Sequence, residues 1–137
     1  MRSRLSTAGR PDGGAAAVEF ALVLPLLLLV VFGLVDFGRA LNEEILLGRA
    51  AQQGARAAAL RQTDTVTRTQ TAARPLVDIG VAVTACPTNT VASSDATVVA
   101  THQFTFITPV DAFVSMFGGD LGTGLTLTGR AVMRCVG

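Results

Sequence analysis

Residues 20–35 form a run of sixteen without a charge, and residues 15–18 carry it upstream past Glu19. The stretch 15–35 is 21 residues long, about 31 Å as a helix, which matches a hydrocarbon core of about 30 Å. A buried core helix is the competing reading, but the remainder of a 137-residue chain is too small to cover an apolar helix on every side. A membrane span is therefore expected over 15–35. Residues 1–14 read as a basic leader, with Arg2, Arg4 and Arg10 against Asp12, and with Gly9, Pro11, Gly13 and Gly14 opposing a helix. Basic flanks stay on the cytoplasmic side, so the N-terminus is expected inside and everything after the span outside. A cleaved secretory signal fits less well, because the run exceeds the usual apolar length, holds a carboxylate near its start and lacks a following A-x-A site.

Two residues within the run are conspicuous. Pro25 removes one backbone hydrogen bond and is expected to kink the helix inside the bilayer, where such breaks are tolerated. Glu19 places a carboxylate where insertion is costly. An interfacial glutamate that reaches the headgroups is one reading. The other pairs it with a new cation: a cut between Gly14 and Ala15 would free an α-amine four residues before Glu19, able to neutralise Glu19 of a neighbouring subunit in a helix bundle.

Beyond the span the helix is expected to continue as a stem over 36–61. Phe37, Leu41, Ile45, Gly48, Ala51, Ala55 and Ala58 recur at three- and four-residue spacing, and Arg39 and Glu43 are i, i+4 partners on another face. Gly48, Ala51, Gly54, Ala55 and Ala58 make a stripe of small residues that lets another helix approach closely. High helix propensity explains part of the alanine content. Residues 62–78 follow as a linker, with Thr63, Thr65, Thr67, Thr69 and Thr71 alternating without an apolar face. That pattern reads as a polar linker or exposed strand.

Residues 79–137 read as a head. β-rich stretches occur at 79–86, 96–107 and 125–135, and 110–117 reads as a short amphipathic helical turn before Gly118 and Gly119. The expected fold class is α+β: a long N-terminal transmembrane and stem helix, then a small antiparallel sheet of three or four strands resting one face on the stem. Such a head is marginal by itself. Outside the cytoplasm Cys86 and Cys135 can form a disulfide, worth roughly 4 kcal/mol for an intrachain loop of about 50 residues. Intrachain pairing is the reading preferred here, with inter-subunit pairing or free thiols as the alternatives.

Composition weighs against catalysis. Eleven basic residues, all Arg, balance ten acidic ones, and there is one His and no Lys, Trp or Tyr. His102 has no Cys or carboxylate at ligand spacing and reads as a surface or core histidine. The glycine-rich 118–124 segment lacks the Lys and following helix of a phosphate loop. Asp78, Asp95, Asp111 and Asp120 are too scattered for a calcium loop. No enzyme activity, cofactor, metal, small-molecule substrate or nucleic-acid partner is expected.

Gly14 followed by Ala15, Ala16, Ala17, Val18, Glu19 and Phe20 resembles the processing site of type IV pilin-like proteins. Gly38-Arg39-Ala40 and the block 50–58 resemble TadE-like minor pseudopilins of tight-adherence (Flp-type) pilus machines, and residues 125–134 are similar to that family's closing strand. The resemblance implies a single-span protein of the bacterial cytoplasmic membrane, cut by a prepilin peptidase between Gly14 and Ala15 and able to enter a surface pilus. Its partners would be membrane lipid, other pilin and pseudopilin subunits and the pilus assembly machinery. The rival expectation is an uncleaved, membrane-anchored accessory protein with an extracytoplasmic binding head.

Overall fold

The computed structural model describes residues 12–87, 94–120, 122 and 124–136. One helix dominates it. α1 spans Asp12–Ala59, about 72 Å at 1.5 Å per residue, and passes through Pro25 without interruption. Its two parts differ in environment. The membrane-length part is bare, with Phe20, Leu22, Leu26 and Leu34 exposed, whereas Leu47, Ala50, Ala51, Ala55, Ala57, Ala58 and Ala59 are buried.

The helix ends in a local stop signal. Arg61 adopts a left-handed φ of 56°, the Gln62 amide donates to the Ala57 carbonyl and the Arg61 amide donates to that of Ala58. This paired arrangement satisfies terminal carbonyls and turns the chain sharply. It leads into α2, Thr65–Ala72, where an exposed strand or polar linker was expected. The correction has a physical cause in α1. A Cβ at Gly54 would collide with the Thr69 hydroxyl and lie 3.1 Å from Val98, so α2 rests against a bare glycine backbone. Thr69 is fully buried there because its hydroxyl donates to the Thr65 carbonyl at 2.8 Å. Threonines that alternate along the sequence also recur at i, i+4, and Thr65 and Thr69 are the buried pair of α2.

The head is a three-stranded antiparallel sheet in the order β1-β2-β3, with β1 at Gly80–Thr84, β2 at Asp95–Phe104 and β3 at Leu125–Arg134. The short α3, Val110–Met116, joins β2 to β3. Alternation assigns one sheet face to α1: Ala96, Val98, Ala100 and Phe104 of β2 are buried, as are Leu127 and Gly129 of β3. The register pairs Ala100 with Gly129 and Val98 with Ala131, so small residues lie side by side where the helix crosses. The approach is closest at Gly129, where a Cβ would run into the Leu47 carbonyl group and lie 2.6 Å from the Gly48 nitrogen.

Two apolar clusters line the crossing. One joins Leu47, Ala50, Ala51, Ala100, Phe104 and Leu127; the other joins Ala55, Ala58, Ala59, Ala96 and Val98. A disulfide between Cys86 and Cys135 closes the second cluster, with a sequence separation of 49. The Cys86 sulfur sits 3.6 Å from the Ala58 carbonyl oxygen, so the bridge ties the ends of β1 and β3 beside the end of α1.

Candidate functional site

The start of α1 carries the residues that the sequence singles out for processing. Gly14, Ala15 and Glu19 all lie in the helix and are exposed, with Ala15 and Glu19 one turn apart. The leader arginines Arg2, Arg4 and Arg10 lie outside the described residues. After Glu19 the surface is apolar: Leu22 is 75% exposed, and none of the most apolar eighteen-residue stretch of α1 is buried within the chain. So much exposed apolar helix is stable only in apolar surroundings, either lipid or other helices.

The first residue past this surface begins the joint between stem and head. Asp36 is only 2% exposed. The amides of Ile107 and Thr108 each donate to its carboxylate at 3.4 Å, and the Thr108 hydroxyl donates to it as well. Burial pushes the Asp36 carboxyl up. The Thr108 hydroxyl, the two amides and the Arg39 charge outweigh that and hold it below its ordinary value. The joint continues up the helix. Arg39 lies 3.5 Å from Asp36 and 3.5 Å from Glu43, with its guanidinium 5.2 Å above the Phe104 ring. Glu43 faces the Nε2 of His102 at 3.7 Å. Arg39 and Glu43 therefore do more than form an exposed pair on a free helix face: they link the stem to β2. His102 belongs to the same row.

Asp36→Ala is expected to free the 107–108 segment. Two amides and a hydroxyl would lose a buried acceptor, a cost of about 1–3 kcal/mol, and hydrogen exchange at Ile107 and Thr108 should accelerate while that of β2 stays slow. The sign of the pH effect follows from the lowered carboxyl. The contribution is in force above the unfolded pKa and is lost as the pH falls through a folded value below 3.8. Acidification to about pH 5 should therefore leave these two amides protected.

The small-residue stripe, where another helix was expected to approach, is covered by the chain's own α2 together with the sheet. Ala51, Gly54, Ala55 and Ala58 are buried, and the contacts run through Thr69, Ala96, Val98 and Ala100. Gly48 is half-buried opposite Gly129. This face is already occupied; the exposed apolar surface of α1 lies along the run before Asp36 and at Phe37, Leu41 and Ile45.

The joint contains two carboxylates, a guanidinium, an imidazole and the Thr108 hydroxyl. Among the described residues no three His, Cys, Asp or Glu side chains gather as a metal set. Asp36 and His102 were missed as joint residues, yet signals for both exist. His102 shares the parity of Val98, Ala100 and Phe104, the inward face of β2, and Asp36, Arg39 and Glu43 follow helical spacing.

The family model of TadE-like proteins matches residues 14–56. The match opens at Gly14, runs through the bare part of α1 and ends at Arg56, so the sheet and the resemblance at 125–134 fall outside it. No curated protein and no solved structure matches the chain. Over residues 14–56, most of α1, the chain is similar to TadE-like proteins.

Proposed function

We propose that the protein is a membrane-inserted, minor pseudopilin-like structural subunit that primes or supports assembly of a Flp-type pilus. The family carries a role in tight-adherence pilus assembly. The observation that carries the finer reading is the division of α1. Its upper part is sheathed by its own head, while its lower part presents bare apolar surface beginning at the Gly14–Ala15 bond. A helix of that kind is stored in the membrane, N-terminus inside and head outside, and later packed against the apolar helices of other subunits.

Glu19 gives this reading its chemistry. In lipid it lies near the helix start, within reach of headgroups. Between packed helices its carboxylate loses water and needs a cation, since an unpaired buried charge costs several kcal/mol. A prepilin peptidase cutting after Gly14 removes the leader arginines and creates the Ala15 α-amine, which a staggered neighbour can present to Glu19. The function is one of packing and assembly rather than catalysis.

Glu19→Ala is the test. The variant should insert in the membrane and be cut normally, because Gly14 is untouched. It should fail to co-purify with the pilus subunits, with fibre numbers falling. Recovery of those subunits at wild-type yield with normal fibre numbers would overturn the assigned role of Glu19.

A further inference from the structure

The chain from β2 to α3 walks down the stem toward the span. Ala96 packs beside Ala55 and Ala58, Phe104 packs beside Leu47, and Ile107 and Thr108 are bonded to Asp36, the residue that ends the uncharged run. α3 follows immediately and lies next to α1. At this level a globular head would be expected to turn a polar surface outward. Instead Ile107 is 65% exposed, Met116 80% and Phe117 84%, and α3 buries none of its residues within the chain. Segment 105–124 has no Arg or Lys, and its charges are Asp111 and Asp120.

We propose that Ile107, Met116 and Phe117 dock on the outer leaflet of the membrane that α1 crosses, so that α3 lies in the headgroup region and the head sits directly on the bilayer. This rests on the assignment of 15–35 as the span. The occupant is lipid because Asp36 fixes segment 107–108 at the height where the span ends, and α3 follows at once beside α1. A short apolar patch with a polar border suits the boundary between headgroups and acyl chains. Without basic residues the docking depends on apolar insertion, not on attraction to anionic lipid, and is insensitive to salt. The tether at Asp36 would set the height of the head, and lipid contact would set its tilt.

The chain contains neither Trp nor Tyr, so a single introduced Trp reports alone. The experiment places the full chain in phosphatidylcholine nanodiscs as Phe117→Trp and, separately, Leu27→Trp. Quenchers are carried near the lipid headgroup, near the acyl-chain end, or in water as iodide. Phe117→Trp should be quenched about twofold more by the headgroup-level quencher than by the deep one, and shielded from iodide. Leu27→Trp should respond chiefly to the deep quencher. If Phe117→Trp stays open to iodide while Leu27→Trp is deep, the span stands and the docking is overturned. Shielding of Phe117→Trp from iodide without lipid quenching would show protein covering the patch and also overturn it. Iodide access to Leu27→Trp would remove the span itself, and the docking with it.

Discussion

Gly129→Ala is expected to unseat the head from the stem. The added Cβ would meet backbone at Leu47 and Gly48, not the end of a side chain that could rotate away. Either β3 lifts from α1 or the helix bends, and each opens the clusters formed by Leu47, Leu127 and Ala100. Overpacking of a tight contact typically costs 1–3 kcal/mol, and a backbone clash belongs at or above about 3 kcal/mol. For a small head that is a large share of its stability. Limited proteolysis in detergent should cut the head of Gly129→Ala well before wild type, while Thr128→Ala, on the exposed side of β3, should behave as wild type. Equal resistance of Gly129→Ala and wild type would contradict the close approach.

Loss of the Cys86–Cys135 bridge is the second large effect. Closing a loop of 49 residues in sequence separation restricts the unfolded chain by about 4 kcal/mol in the chain-entropy model. The bridge also holds together the two strand ends that cover Ala58 and Ala59. Replacing both cysteines with Ala should leave the span inserted and the head largely unfolded at growth temperature. Thermal unfolding in detergent, followed by protease sensitivity, should show the shift. Alkylation of the exported wild-type protein under non-reducing conditions should label neither thiol, and labelling of both would contradict the intrachain bridge.

The parts of this structure that local physics decides were legible in the sequence. The long apolar helix, a candidate membrane span, follows from sixteen uncharged residues and the strands from Val and Thr alternation, because a missing charge and a period of two have the same meaning in any context. The segment from residue 62 was misread for the opposite reason. Its threonines favour a strand locally, and α2 forms because Gly54 leaves room for it and Arg61 turns the chain onto it. Both are tertiary facts. The small-residue stripe showed that something would approach α1 closely, but spacing alone does not identify the approaching backbone. Gly129 supplies half of that answer from more than seventy residues away. The Asp36 joint was hidden similarly: an aspartate after an apolar run reads as an ordinary end-of-span charge until Thr108 is found beside it.

The central proposal is that this chain, similar to TadE-like proteins over residues 14–56, is a processed subunit whose helix begins, in its working form, at Ala15. The most direct measurement is the N-terminal residue and intact mass of the protein isolated from membranes and from sheared surface fibres, for wild type and Gly14→Val. The account predicts a wild-type chain starting at Ala15 in both fractions. It predicts a heavier Gly14→Val chain that keeps its leader and remains in the membrane fraction. Wild type and variant both retaining the leader, with no difference in mass beyond the substitution and no wild-type protein in fibres, would contradict it and leave the protein an uncleaved membrane anchor.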